Sequence, residues 1–248
     1  MGVAVTAHIS GLLSTGAIVR LLEDGCVVLN TGAVDIGQGS DTVLAQICAE
    51  TLKMPLDQVT VASPDTDGSP YNWGTTASRV TYTTGRAVKA AAEKVASKIK
   101  QHAAEIFECS IEKLELREGG LVGLVDSSEA LSFSAISGRA HWAVGGPIIG
   151  EASICYERAT ADPKRAVVLG LPFARIGVMS FGALVVEVEI DEITGHVRVS
   201  RAWSALDVGR AINPTLVEVQ IEGALLQGLG YALFEEMVWD GGRLSNPT

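Results

Sequence analysis

Apolar segments flank four glycine-containing turns along the chain. The turns read Glu23-Asp24-Gly25, Glu118-Gly119-Gly120, Asp191-Glu192-Ile193-Thr194-Gly195 and Asp240-Gly241-Gly242. Apolar residues on one face of a strand pack on a core, and Asp-Gly or Gly-Gly between two such strands favours a tight reversal. The pattern therefore predicts four strand–turn–strand units, at residues 17–30, 114–125, 181–206 and 234–244.

Apolar residues recur at helical spacing between these units. This spacing predicts a helix over residues 41–53, with Ser40 or Asp41 as its N-cap. A long helix is predicted over residues 76–102, and Gly85 softens or breaks it.

Shorter patterns complete the chain. Asn213-Pro214 predicts the start of a third helix, because Asn caps a helix well and Pro suits its first position. Residues 59–62 read as a strand and residues 128–136 as a short helix, while loops are predicted at Gly145-Gly146-Pro147 and Asp162-Pro163. Strands and helices do not alternate regularly, so we predict an α+β fold with mixed sheets and hairpins packed against helices.

Composition narrows the possible partners. The 248 residues are 47% hydrophobic, and the net charge is −10. Such an acidic chain is not expected to bind duplex nucleic acid or an anionic membrane surface. Residues 1–16 lack the features of a signal peptide, and no run of about 20 apolar residues occurs. We therefore expect a cytoplasmic protein.

The cysteines and histidines are scattered along the chain. Neither set shows the spacing of a metal site. We expect free, mostly buried thiols in a reducing compartment, and we assign no metal ligand. The cysteines are Cys26, Cys48, Cys109 and Cys155, and the histidines are His8, His102, His141 and His196.

Two loops of small residues within residues 31–87 each lead into a predicted helix. A loop before a helix presents backbone N–H groups and the positive end of the helix dipole, which suits a phosphate or another anion. Two such loops suggest a large anionic cofactor held from two sides. Two ordinary glycine-rich turns would give the same spacing, and the spacing alone does not decide between these readings.

Three motifs in order along the chain carry a resemblance. They are Asp35-Ile36-Gly37-Gln38-Gly39; Gly74-Thr75-Thr76-Ala77-Ser78-Arg79; and Asp207-Val208-Gly209-Arg210-Ala211-Ile212-Asn213-Pro214 with Gln220-Ile221-Glu222-Gly223-Ala224. Together they resemble the molybdenum hydroxylases, the family of xanthine dehydrogenase and aldehyde oxidase. The similarity is to the second molybdopterin-binding part of the large subunit.

The resemblance implies roles for individual residues. Gln38 matches a glutamine near the oxo and pterin side of the molybdenum centre, with Ile36 in the apolar position beside it. Gln220 matches a glutamine that contacts the pterin. The full set of expected cofactor-binding residues is Ile36, Gly37, Gln38, Gly39, Thr76, Ala77, Ser78, Arg79, Val80 and Gln220.

Arg79 has two open roles. It can pair with a phosphate through two of its guanidinium N–H groups or make a structural ion pair, and the sequence does not favour either. Gln227, in the segment Gln227-Gly228-Leu229-Gly230 that continues the third motif, is expected to contact cofactor-binding residues or to pack against a helix rather than touch the cofactor.

The resemblance also implies a reaction and its partners. The family hydroxylates an electron-poor carbon of a heterocycle or aldehyde, with water as the source of oxygen. The cofactor is molybdopterin with molybdenum, in bacteria usually as the cytosine dinucleotide. Iron–sulfur clusters and FAD are expected only on partner chains or missing parts, and activity is expected only with those partners and a chain that completes the molybdenum site.

The chain also departs from the family pattern. The family's general base is a glutamate in a Gly-Glu motif beyond the region that this chain matches, and the pattern stops part-way at Ser245-Asn246-Pro247-Thr248. We therefore expect one molybdopterin-binding domain over residues 1–248, incomplete at its C-terminal end, with no catalytic residue of its own. Glu151 follows a glycine but sits in the wrong block, and we expect a loop carboxylate there.

Two other functions fit some of these features. A non-catalytic cofactor-binding or assembly module would need no general base. A nucleotide-binding domain of another kind is disfavoured, because neither GxGxxG nor GxxxxGK[ST] occurs at a strand-to-helix turn.

Overall fold

The computed structural model describes residues 1–10, 13–143, 145–155 and 178–246. They form two compact units, one of Met1–Ala7 with Ser180–Thr248 and one of His8–Met179. Helices and mixed sheets occur together, which confirms the predicted α+β class. The predicted loop at Asp162-Pro163 lies outside the described residues.

The helices are α1 (Ser40–Leu52), α2 (Gly85–Ile106), α3 (Phe133–Trp142) and α4 (Pro214–Leu233). The strands are β1 (Gly2–Ser10), β2 (Thr15–Leu21), β3 (Val27–Thr31), β4 (Val59–Val61), β5 (Leu114–Arg117), β6 (Leu121–Leu124), β7 (Ala130–Ser132), β8 (Ile149–Ile154), β9 (Val178–Ile190), β10 (Val197–Leu206), β11 (Trp239–Asp240) and β12 (Arg243–Leu244). All four predicted strand–turn–strand units are confirmed, with antiparallel pairing in each.

The unit His8–Met179 is built on a four-stranded sheet in the order β4-β3-β2-β8. Alternate residues of β2 and β3, including Val19 and Leu29, point into the core and are fully buried. Helices α1 and α2 supply Leu44, Val95 and Ile99 to the same core. Helices α1 and α2 follow the two small-residue loops. Packing of these helices in the core therefore fixes the position of the C-terminal end of each loop.

The predicted helix over residues 76–102 begins later than expected. A π-helical turn, Val80–Thr84, precedes α2, which starts at Gly85. A Cβ atom at Gly85 would lie 2.7 Å from Cδ1 of Ile47 on α1. Gly85 therefore marks the close contact between α1 and α2, and the preceding residues belong to the loop rather than to a regular helix.

Two further elements differ from the sequence predictions. Residues 128–136 form the end of a hairpin at β7 and then α3, whose N-cap Ser132 accepts a hydrogen bond from the N–H of Ala135 at 3.2 Å. Strand β1 was not predicted at all, because residues 1–16 show no clear alternation.

The unit of Met1–Ala7 and Ser180–Thr248 contains a sheet in the order β1-β9-β10. Helix α4 begins as predicted, with Pro214 in its first turn and the Asn213 side chain accepting from the N–H of Leu216 at 3.1 Å. Among the described residues, no helix is long and apolar enough to cross a membrane.

Candidate functional site

The predicted cofactor-binding residues fall into two groups. All but Gln220 lie in the unit His8–Met179, on two loops that we call the glutamine loop (residues 32–39) and the second loop (residues 72–79), with Val80 directly after it. Gln220 lies on α4 of the other unit, where its side chain is exposed, and Gln227 on the same helix is exposed as well.

The two loops are tied together directly. The hydroxyl of Thr75 donates to the carbonyl of Val34 at 2.8 Å and accepts from the N–H of Val34 at 3.0 Å. Behind this pair, a Cβ atom at Gly32 would lie only 2.5 Å from the carbonyl oxygen of Pro70. The two predicted small-residue loops are therefore in direct contact with each other.

The Thr75 link gives a first testable prediction. Thr75→Val removes both hydrogen bonds, and we expect it to lower the free energy of unfolding of this unit by about 1 kcal/mol, since the loops are partly exposed to water. Chemical denaturation measures the change. Thr76→Val is the matched control, because the Thr76 side chain is exposed. Equal losses in the two variants would contradict the role of the link.

The start of α1 is already occupied by a carboxylate of the chain itself. Oδ1 of Asp35 accepts from the N–H groups of Gly37 at 2.8 Å and Gly39 at 3.3 Å, and Oδ2 accepts from that of Asp41 at 3.1 Å. The predicted N-cap, Ser40 or Asp41, is wrong: the cap position is Gly39, in a left-handed conformation. Three of the N–H groups that we expect to suit a phosphate are hydrogen-bonded to Asp35, and binding of an external anion at this helix start stays a prediction.

The charge of Asp35 affects both carboxylates of this turn. Desolvation would raise the pKa of Asp35, but backbone N–H donors at Asp41, Gly37, Gly39 and Ser40 outweigh it and lower the pKa below its ordinary value. The pKa of Asp41 is raised, by desolvation and then by the negative charge of Asp35. The turn therefore favours an ionised Asp35 and disfavours a second negative charge.

Gln38 shapes the glutamine loop with its own side chain. Its Oε1 accepts from the N–H of Ile36 at 2.7 Å, and its Nε2 donates to the carbonyl of Val34 at 3.4 Å. Ile36 itself is 71% exposed. The amide of Gln38 and the apolar side chain of Ile36 thus lie at the rim of the loop, where both can meet a ligand.

The second loop has an unusual backbone. Ala77 and Ser78 both have φ near 49°, a left-handed conformation that is costly for residues with a Cβ atom, and Arg79 returns to the right-handed region with φ −95°. The change of hand between Ser78 and Arg79 turns neighbouring N–H groups toward one concavity, which is typical of anion-binding nests. Among the hydrogen bonds of the described residues, the N–H groups of Ala77, Ser78 and Val80 have no acceptor.

Arg79 is fully buried beneath this loop. Its Nη1 donates to Oδ1 of Asn72 at 2.9 Å and to the carbonyl of Gly74 at 3.0 Å, and its Nη2 donates to the carbonyls of Leu13 and Ser14 at 3.3 and 2.9 Å. Desolvation lowers the pKa of Arg79. These contacts favour a third role for Arg79, besides the phosphate contact and the ion pair, in which the guanidinium binds the loop backbone.

Sequence reasoning missed Asp35 and Asn72 as residues that build the site. A shared signal could have found them, since each stands two positions before a glycine whose N–H it accepts: Gly37 at 2.8 Å and Gly74 at 2.8 Å. Asp207 accepts from Gly209 at 3.0 Å in the third motif. Asx residues form this turn readily, so the Asx-x-Gly pattern predicts loop-building side chains rather than ligands.

Two other expectations need correction. Glu151 is not in a loop but on β8, paired with Ile18 of β2, and its carbonyl accepts from Nζ of Lys94 at 2.7 Å. The cysteines are free, but of the four only Cys48 is buried, and burial raises the pKa of its thiol to about 12.

A sequence profile for the molybdopterin cofactor-binding domain matches residues 1–248. The chain belongs to this family. The xanthine dehydrogenase molybdenum-binding subunit of Escherichia coli O157:H7 is 34% identical to this molybdopterin-binding chain over 260 residues, covering all of the chain and 32% of that protein. The nicotine 6-hydroxylase large subunit of Paenarthrobacter nicotinovorans is 32% identical over 235 residues, covering 94% of the chain and 27% of that protein.

Solved structures show the same relationship. Quinoline 2-oxidoreductase from Pseudomonas putida 86 superposes with a TM-score of 0.80 and 27% identity, covering the whole chain and 32% of that structure. The resemblance to the molybdenum hydroxylases is therefore confirmed. The molybdopterin-binding chain spans about a third of the length of that structure and of the xanthine dehydrogenase subunit.

Proposed function

We propose that this molybdopterin-binding chain holds one side of the cofactor between its two joined loops. The observation that carries the proposal is the set of N–H groups at Ala77, Ser78 and Val80, which lack an acceptor among the described residues and lie shortly after Thr75, the residue that ties the loops together. The N–H of Arg79 between them donates to the carbonyl of Thr76 at 3.2 Å. Such donors suit a phosphate oxygen or the oxygen and nitrogen acceptors of a pterin. The full set of expected cofactor-binding residues stays a prediction.

The residues fit such a ligand unequally. The second loop fits well, because its donors are available without breaking any hydrogen bond of the described residues. In the glutamine loop, Asp35 occupies the helix-start donors, so its contribution is the carboxamide of Gln38 and the apolar side chain of Ile36. A carboxamide both donates and accepts, as the edge of a heterocycle requires.

The cofactor, when bound, supplies the redox chemistry, while the chain binds, orients and shields it. The activity we propose for the complete assembly is hydroxylation of a heterocycle or aldehyde carbon, with oxygen from water. No residue of this chain is assigned as catalytic or as a metal ligand, and we propose that the general base comes from another part of the assembly.

The finer predictions rest on the relatives. Proteins similar to the chain are named as large or molybdenum-binding subunits, and another, from Paenarthrobacter nicotinovorans, is named as subunit gamma of a 6-hydroxypseudooxynicotine dehydrogenase complex. We therefore propose that partner chains complete the molybdenum site. From the resemblance to the family we further propose that those chains carry the iron–sulfur clusters and FAD, and that the pterin is the cytosine dinucleotide form. The cytoplasmic location stays a prediction.

Cofactor analysis tests this proposal. The chain, purified with the proteins that accompany it from cells that make molybdopterin, should yield about one molybdenum and one acid-released cytosine monophosphate per chain, as expected for one bound cofactor. Folded complexes that contain neither would contradict it. Complexes that contain both but turn over no heterocycle or aldehyde would instead favour a cofactor-binding or assembly module.

Gln38 gives a second prediction. Gln38→Ala removes the carboxamide that we propose for the heterocycle edge. We expect roughly tenfold weaker retention of pterin, which is the effect of losing one or two good hydrogen bonds. Fluorescence of the oxidised pterin after gel filtration measures retention. Gln101→Ala, at an exposed position on α2, is the control. Equal retention in both variants would exclude Gln38 from the site.

A further inference from the structure

Asn72 and Arg79 stand at the two ends of the second loop. The polar groups of their side chains are used in hydrogen bonds that hold the loop. We propose that these two are positioning residues: they hold the loop in the conformation that leaves its N–H groups available. That the loop binds a ligand rests on the proposed function, whereas the effect of Asn72 and Arg79 on the loop conformation does not.

Asn72 uses its whole carboxamide. Its Nδ2 donates to Oγ1 of Thr15 at 2.7 Å and to Oγ1 of Thr84 at 3.1 Å. Its Oδ1 accepts from the N–H of Gly74 at 2.8 Å and from Nη1 of Arg79 at 2.9 Å. Two donors and two acceptor positions are all that a carboxamide has, so one side chain joins the start of β2, the second loop and the turn before α2.

Arg79 closes the loop from below. Its Nη1 binds the carbonyl of Gly74, five residues earlier, so the guanidinium connects the two ends of the segment that contains Ala77 and Ser78. Its Nη2 anchors that segment to the carbonyls of Leu13 and Ser14, just before β2. A guanidinium is rigid and planar, so these bonds fix orientation as well as distance.

The backbone between these anchors is strained. Each left-handed residue with a Cβ atom is disfavoured roughly tenfold relative to a right-handed one, and Ala77 and Ser78 are adjacent. Such strain persists only where the surrounding bonds over-determine the conformation. Asn72 and Arg79 supply those bonds, so removing them should let the loop relax. The apparent affinity for the ligand should then fall in proportion to the fraction of chains that keep the binding-competent conformation.

Five variants test this role. Asn72→Leu keeps the size of the side chain and removes all four hydrogen bonds. Asn72→Asp retains both acceptors, and the hydroxyls of Thr15 and Thr84 can turn to donate to it. Ala77→Gly with Ser78→Gly, added to Asn72→Leu, lets the loop adopt the left-handed conformation without the Cβ penalty. Arg86→Leu, an exposed arginine on α2, is the control for Arg79→Leu.

Two measurements apply to each variant within the full assembly. Pterin retained after gel filtration reports binding. Protection from hydrogen exchange at the N–H of residue 79, which donates to the carbonyl of Thr76 at 3.2 Å, reports the loop conformation in assemblies from cells unable to make the cofactor. We expect Asn72→Leu and Arg79→Leu to retain roughly tenfold less pterin and to show roughly tenfold lower protection, while Asn72→Asp and Arg86→Leu stay within about twofold of the wild type. The glycine pair should restore most of the pterin to Asn72→Leu.

The outcomes separate the two proposals. Unchanged protection of the residue 79 N–H in both Asn72→Leu and Arg79→Leu would overturn the positioning role. So would a loss of pterin that the glycine pair does not restore, because the effect would then be general destabilisation. If the wild type holds no pterin while the protection of this N–H differs among the variants as expected, the positioning role stands and the proposed function fails. Circular dichroism confirms that each variant is folded, and Asn72→Asp keeps the comparison usable where Asn72→Leu does not fold.

Discussion

Gly32→Ala is expected to lower the free energy of unfolding of the unit His8–Met179 by about 3 kcal/mol, the upper end of the usual cost of overpacking. The added Cβ atom would lie 2.5 Å from the carbonyl oxygen of Pro70 and 3.0 Å from Cβ of Asn72. The segment from Pro70 to Asn72 cannot easily move away from the added methyl group. On its other side the carbonyl of Tyr71 accepts from the N–H of Gly16 at 2.7 Å, and Asn72 is bonded to Thr15.

The same substitution should reduce cofactor retention, because it forces the glutamine loop and the second loop apart. Gly68→Ala is the matched control. Gly68 lies two residues before Pro70, and a Cβ atom at Gly68 would meet nothing within 4 Å. Thermal unfolding and pterin content measure the two effects. A Gly32→Ala variant as stable as Gly68→Ala would show that the loops do not need this contact.

Asp35→Ala is expected to cost about 2 kcal/mol, at the high end for loss of a helix cap, because three backbone N–H groups lose their acceptor together. Asp35→Asn should cost less, since its side-chain oxygen can still accept from Gly37 and Gly39. The exposed Asp126 provides a control, Asp126→Ala, for loss of one negative charge. A loss no greater than the control's would contradict the capping role.

The effect of Asp35 should depend on pH in a defined direction. Its pKa in the folded chain is lowered, so its charge stabilises the fold above the unfolded pKa of about 3.9 and ceases to do so as the pH falls through the folded value. The stability difference between the wild type and Asp35→Asn should therefore be constant near neutrality and shrink below about pH 4. The Asp35→Asn variant should also lower the pKa of Asp41, because one cause of its upward shift is removed.

The sequence was sufficient for those elements whose cause is local. Asp24-Gly25 and Asp240-Gly241-Gly242 reverse the chain by turn chemistry alone, and α4 starts where Asn213 and Pro214 predict. Strand β1 pairs with β9, which lies far along the chain. A local sequence pattern does not predict pairing with so distant a strand.

The internal bonding of the site could be predicted only in part. The helix start at α1 has the same sequence signature whether a phosphate or the chain's own carboxylate accepts its N–H groups, and here Asp35 does. An arginine beside a glycine-rich loop is typical of phosphate contact, but burial decides its use, and Arg79 is buried by segments distant in sequence. The contact between the loops through Thr75 and Val34 is likewise a tertiary feature.

Hydrogen exchange at the second loop tests the central claim most directly. It would be compared in the assembly purified from cells that make molybdopterin and from cells that cannot. The N–H groups of Ala77, Ser78 and Val80 should be protected strongly only in the loaded assembly, whereas those of Gly37 and Asp41, already bonded to Asp35, should change little. Pterin-loaded assemblies in which Ala77, Ser78 and Val80 exchange as fast as in the empty ones would contradict the account.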